Sequence, residues 1–128
     1  MKTLLLAGML ICTILLGSSC GLLTLTRGLD EVMALEIHDV ELSTIPDGVY
    51  RGTYDCERFK NTLEVTVHDC VITAINIVRD VKFAKSEVSD AIFSRVLQHQ
   101  SLEVDAVSGS TVTSKAYLKS IELALNTQ

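Results

Sequence analysis

The chain has 128 residues, 48% of them hydrophobic and 5% aromatic, with no tryptophan and a formal net charge of −5. That length holds one small domain and an appendage, not two cores. All 16 Asp and Glu lie beyond Arg27, together with nine of the 11 Lys and Arg; so negative and ring-poor a surface repels phosphate backbones and excludes nucleic acid as a partner.

From Thr3 to Thr26 there is no charged residue, and leucine, isoleucine and methionine dominate. As a helix this stretch would reach about 36 Å, against a hydrocarbon core of about 30 Å. A second reading is open. Lys2, a dozen apolar residues and then Gly17-Ser18-Ser19-Cys20 resemble a lipoprotein signal, in which Cys20 becomes the lipidated first residue. The apolar run resumes at Gly21-Leu22-Leu23-Thr24-Leu25, which favours an uncleaved transmembrane helix over a removed signal. Residues 1–27 are therefore assigned as a membrane anchor or lipoprotein-type signal. Either way the remainder is exported, as a single-pass cell-membrane protein whose soluble domain is extracytoplasmic and touches lipid only through the anchor. Residues 28–46 read as a polar juxtamembrane connector in which Leu29, Val32, Met33, Leu35 and Ile37 suggest a short helix or a stalk. Pro46-Asp47-Gly48 is a turn signal and opens the compact domain, residues 47–128.

Val49 to Tyr54 is rich in β-formers, with its tyrosines on one alternate set. Thr62 to His68 alternates cleanly: Leu63, Val65 and Val67 face inward and Glu64, Thr66 and His68 outward. Asp69-Cys70 forms a short turn into a return strand from Val71 to Val78, so the pair is a hairpin. No helical pattern separates the strands, which makes the sheet antiparallel. Ser86 is placed as the N-cap of a helix whose stripe is Val88, Ile92, Phe93, Val96 and Leu97, ending near Gln100. A last helix is expected from about Lys115 to Leu125, with Tyr117, Leu118, Ile121, Ala124 and Leu125 on one face and Thr113 or Ser114 as its cap. The fold class is α+β: an antiparallel sheet with two helices packed on one face, preceded by a transmembrane helix.

Between the helices lies Asp105-Ala106-Val107-Ser108-Gly109-Ser110-Thr111-Val112-Thr113-Ser114. A hydroxyl-rich, glycine-containing loop at a helix N-terminus presents unpaired N–H groups and the positive end of the helix dipole, which suit a phosphate. Spacing alone more often describes just a turn followed by a cap. The run Asp105-x-x-Ser108-Gly109-Ser110-Thr111, followed by Val-Thr-Ser and a helix, resembles the flavinylation motif of the FMN-binding domain family, and the likeness extends over about Asp47 to Leu125. That family occurs in subunits of membrane redox complexes and in small membrane-anchored bacterial proteins. The resemblance implies FMN joined covalently by a flavin transferase, through its phosphate, to the Thr111 hydroxyl. It also implies that Asp105, Ser108, Gly109, Ser110 and Thr113 complete the cofactor-binding motif. Ser110 stands where the family more commonly has alanine, and Cys70 where it has the glycine of an Asp-Gly turn. The implied function is electron transfer rather than independent catalysis, with a membrane electron donor and an extracytoplasmic acceptor. A non-flavinylated binding or assembly module of the same fold is the alternative.

Tyr50, Tyr54 and Phe83 are candidate neighbours of the flavin ring, each more at home in a core. Cys56 and Cys70 lie near strand ends and could pair; with His68 they are a weak zinc set, since no Cys-x-x-Cys spacing is present. His38, His68 and His99 are scattered. One of them beside Ser108 or Ser110 would make a serine hydrolase, but there is no Gly-x-Ser-x-Gly elbow.

Overall fold

The computed structural model describes residues 26–126. The apolar stretch expected to anchor the chain lies, apart from Thr26, outside them. Among the described residues no helix is long and apolar enough to cross a membrane.

Three antiparallel strands form the sheet in the order β1-β2-β3: β1 (Gly48–Tyr54), β2 (Asn61–His68) and β3 (Val71–Arg79). Strand β2 is central and carries the alternation read from sequence, with Leu63, Val65 and Val67 buried and His68 exposed. Direct cross-strand partners share a face. The pairs Val65↔Ile75 and Val67↔Ile72 therefore place isoleucines on the inner face, Leu63↔Ile77 carries that face out to an exposed Ile77, and Tyr50↔Val65 and Gly52↔Leu63 put Tyr50 and Gly52 of β1 on it. Strand β3 does not alternate strictly, because its register against β2 shifts at Thr62/Leu63 and again at Thr66/Val67. The turn between them holds Asp69 at φ 50° and Cys70 at φ 62°. Two successive left-handed residues are what a type I′ hairpin requires, so the tight turn forms even though cysteine replaces the usual glycine.

Two long helices cover the inner face: α2 (Ser86–His99) and α3 (Thr111–Asn126), after a single helical turn, α1 (Leu29–Met33), that precedes the sheet. The stripe of α2 buries Val88, Ile92 and Val96, and α3 buries Tyr117, Leu118, Ile121, Ala124 and Leu125 against β1 and β2. At Gly52 the approach is extreme: a Cβ built there would lie 2.0 Å from the Ser120 carbonyl oxygen and 2.5 Å from the Ala124 nitrogen. Only glycine lets the helix backbone rest on the strand this way.

The helix starts differ from expectation. Lys85, not Ser86, occupies the N-cap position of α2, with no side-chain cap bond; the Ser86 hydroxyl lies inside the first turn. Helix α3 begins at Thr111, four residues before the expected start, so neither Thr113 nor Ser114 is its cap. The β-branched run Thr111-Val112-Thr113 is a poor helix former. Tertiary packing overrides that preference, because Ser114 is fully buried and bonded on both sides.

Residues 33–45 lie against the domain rather than standing off as a stalk. One edge of α3 holds them: Lys115 Nζ donates to the carbonyls of Met33 (2.7 Å) and Leu35 (3.1 Å), Lys119 Nζ to that of Glu36 (3.3 Å), and the His38 N–H donates to Glu122 (3.0 Å). Val32 of α1 is fully buried in a second cluster with Tyr54, Cys56, Phe59 and Ala116, which closes the end of the domain next to the α3 N-terminus.

Candidate functional site

The loop Val107–Ser110 is a β-turn closed by the Ser110 N–H to the Val107 carbonyl at 2.9 Å, with Gly109 third in the turn at φ 77°. That position calls for glycine. Ser114 locks the turn onto the helix: its hydroxyl donates to the Ser110 carbonyl at 2.7 Å and accepts the Val107 N–H at 3.1 Å. The Ser110 carbonyl also accepts the Ser114 N–H at 2.9 Å, which starts the helical ladder. The N–H groups of Thr111, Val112 and Thr113 have no acceptor among the described residues, as the first turn of a helix leaves them.

These groups open on a cleft of about 330 Å³. Its walls are Gly109 to Thr113 of the motif, Lys85 and Val88 from the start of α2, Phe83 from the preceding loop, Arg58 and Phe59 from the β1–β2 connection, and Leu29 of α1. The N-termini of both long helices therefore converge on it, each adding the positive end of its dipole. No carboxylate and no histidine stands among the described residues that line it. Thr111 is exposed, so its hydroxyl is open to solvent at the first turn of α3.

The motif residues separate into two groups. Gly109, Ser110, Thr111 and Thr113 line the cleft together. Ser108 is exposed at the turn but is not in the cleft wall, and Asp105 faces a different depression with Arg95, Gln98, His99, Glu103 and Val104. The Asp105 backbone carbonyl accepts a bond from Arg95 Nη1, which fixes the approach to the loop.

Of the three candidate ring neighbours, Phe83 alone reaches the cleft. It is 74% exposed and held at φ 59°, an uncommon backbone for a bulky residue. Tyr54 is buried in the second cluster, and Tyr50 donates its hydroxyl to the Pro46 carbonyl at 2.6 Å. Arg58, Phe59, Lys85, Val88 and Leu29 were not foreseen. They come from three separate segments, and no spacing in the sequence brings those together.

The other expected sites do not assemble. Cys56 and Cys70 are both free: Cys56 is buried beside Gly28, and Cys70 is exposed at the hairpin tip. The zinc set is not brought together either. His68 instead meets Asp47 at 2.8 Å and Asp69 at 3.3 Å, all three exposed. Among the described residues no hydrogen bond joins His38, His68 or His99 to Ser108 or Ser110; His38 and His68 meet carboxylates instead.

A cleft at two helix N-termini with two cations and no carboxylate among its described lining residues suits a phosphorylated ligand. The family model of the FMN-binding domain matches residues 60–126, over half of the chain, and the chain belongs to that family. Membership supports a flavin-binding role with FMN as the cofactor.

Proposed function

We propose that this protein is an exported, membrane-tethered electron carrier that holds FMN through a phosphoester to the Thr111 side chain. One observation carries the reading: Thr111 is the exposed first residue of α3 and lines the cleft, rather than being buried in the core. The residues fit the cofactor. The volume lies at the lower end of small-molecule sites. Two cations and three unpaired N–H groups suit a phosphate, and Phe83, Phe59, Val88 and Leu29 offer apolar surface to a flat ring.

The bound flavin supplies one- or two-electron redox chemistry; the chain supplies attachment, orientation and partial shielding from water. Attachment replaces the Thr111 Oγ–H bond by an Oγ–P bond, with the proton passing to solvent. A flavin transferase acting on an FMN phosphoanhydride accounts for the leaving nucleotide. A covalent link suits a location where a dissociated cofactor would be lost. Leu29, in the cleft wall, lies three residues beyond the apolar stretch ending at Thr26. An anchor there would keep the cleft within roughly 10 Å of chain from the bilayer surface, in reach of a membrane electron donor and open to an extracytoplasmic acceptor.

The test is production of the full chain with a flavin transferase, followed by intact-mass measurement and fluorescence after denaturing electrophoresis. The expected product carries one FMN less one water. Thr111→Val is expected to give the bare polypeptide and Ser110→Ala to load normally. A Thr111→Val chain that still carried covalent flavin would show that the acceptor is elsewhere.

A further inference from the structure

The cleft runs against the charge of the protein around it. The chain is net acidic, yet the described residues lining the cleft include two cations and no anion. Elsewhere five basic side chains are engaged: Arg51 with Glu64, Lys60 with Asp55, Lys119 with Glu122, Arg95 with the Asp105 carbonyl, and Lys115 with the Met33 and Leu35 carbonyls; Arg27, Arg79 and Lys82 lie outside the cleft wall. Arg58 and Lys85 make no ion pair or side-chain hydrogen bond among the described residues, and the buried Nε of Arg58 has no acceptor. The Arg58 guanidinium carbon sits 4.4 Å from the centroid of the Phe59 ring, itself buried. This stacked guanidinium is oriented before any ligand arrives, with its donors unspent. Lys85 stands at the N-cap of α2, adjoining the cleft from the second helix.

We infer that Arg58 and Lys85 form a phosphate clamp, which makes the cleft selective for a flavin that carries a phosphate over one that lacks it, independently of the bond to Thr111. This rests on the flavin reading above and adds residues to it. Arg58 lies outside the matched family segment, residues 60–126. The dipoles and free N–H groups of the two helices supply part of the field, and the two side chains supply formal charge opposite the phosphate dianion.

The experiment uses the full chain in mild detergent, produced without a flavin transferase and therefore unmodified, and titrates it with FMN and with riboflavin by flavin fluorescence. FMN is expected to bind about tenfold more tightly or better, since a charge-assisted hydrogen bond is worth about a factor of ten. Inorganic phosphate should compete with FMN and not with riboflavin, and added salt should narrow the gap. Arg58→Gln should lower FMN affinity about tenfold and Lys85→Gln about threefold, the lysine being exposed. Riboflavin binding should stay unchanged in both, and Arg58→Lys should restore part of the loss. Lys85→Gln touches no packed contact and keeps the test valid if Arg58 variants fold poorly. Equal binding of FMN and riboflavin, binding of neither, or a preference that survives both substitutions would overturn the clamp. Covalent loading of Thr111 is read separately by mass, so a failed clamp with a loaded Thr111, or the reverse, tells the two readings apart.

Discussion

Individual side chains show how little their place in sequence says about their fate. Cys56 and Cys70 look alike as cysteines near strand ends, yet one is sealed and the other stands at a hairpin tip. Burial raises the Cys56 thiol above its ordinary pKa, and the charges of Glu31 and Glu57 push the same way. A thiol held protonated and covered is a poor nucleophile. Brief alkylation followed by peptide mapping should therefore label Cys70 well before Cys56, with Cys56 reacting only on denaturation. Equal labelling would mean that the end of the domain near α1 opens readily. Tyr117 is likewise held in its neutral form, by burial first and by Asp80 second, whose carboxylate accepts its hydroxyl at 2.5 Å; its ring meets Phe93 edge-on.

Between elements, the decisive contact is the one at Gly52. Helix α3 rests on β1 there, backbone against backbone, and the same helix presents Thr111 at its other end. Gly52→Ala must lift the helix off the strand and should cost roughly 3 kcal/mol, the upper end for overpacking a core. A denaturant titration measures the loss, and flavin loading should fall with it as the α3 N-terminus shifts. The hairpin tip predicts the opposite sign. Cys70 pays a steric penalty at φ 62° that glycine would not, so Cys70→Gly should stabilise the protein by roughly 0.5–1 kcal/mol, net of glycine's added freedom when unfolded. An unchanged or lowered denaturation midpoint would show that the left-handed turn carries no strain.

Across the molecule, the segment before the sheet is tied down at two places, by α3 and by Asp39. The Asp39 carboxylate accepts the Leu102 N–H (3.0 Å), the Ser101 hydroxyl (2.8 Å) and the Val40 N–H (3.0 Å), linking the chain ahead of β1 to the α2–α3 connection. Burial alone would raise its pKa, but these three donors together hold it below the ordinary 3.8. A carboxylate with a lowered folded pKa stabilises fully above its unfolded value and loses that contribution as pH falls through the folded value. The denaturation midpoint of wild type should exceed that of Asp39→Asn at pH 7, and the gap should close in acid below about pH 4. A gap that is independent of pH would mean that the carboxylate charge contributes nothing. The same architecture sets the electrostatics of the site: an acidic exterior surrounds a cleft whose described lining is cationic.

Much of this was readable in one dimension. The alternation of Leu63, Val65 and Val67, the stripe of Val88, Ile92 and Val96, and the Asp69-Cys70 turn reflect local periodicity, and each appears where its period puts it. Shifts in β3 register, the early start of α3 and the burial of Ser114 depend on neighbours distant in sequence, so no local pattern announces them. The amino-acid sequence was enough for the α+β class and for the loop carrying Thr111, because periodicity and short motifs are properties of contiguous residues. Packing alone brought Arg58, Phe83 and Lys85 to that threonine and sent Asp105 elsewhere, because a cleft is made by surfaces that meet only when the chain closes on itself.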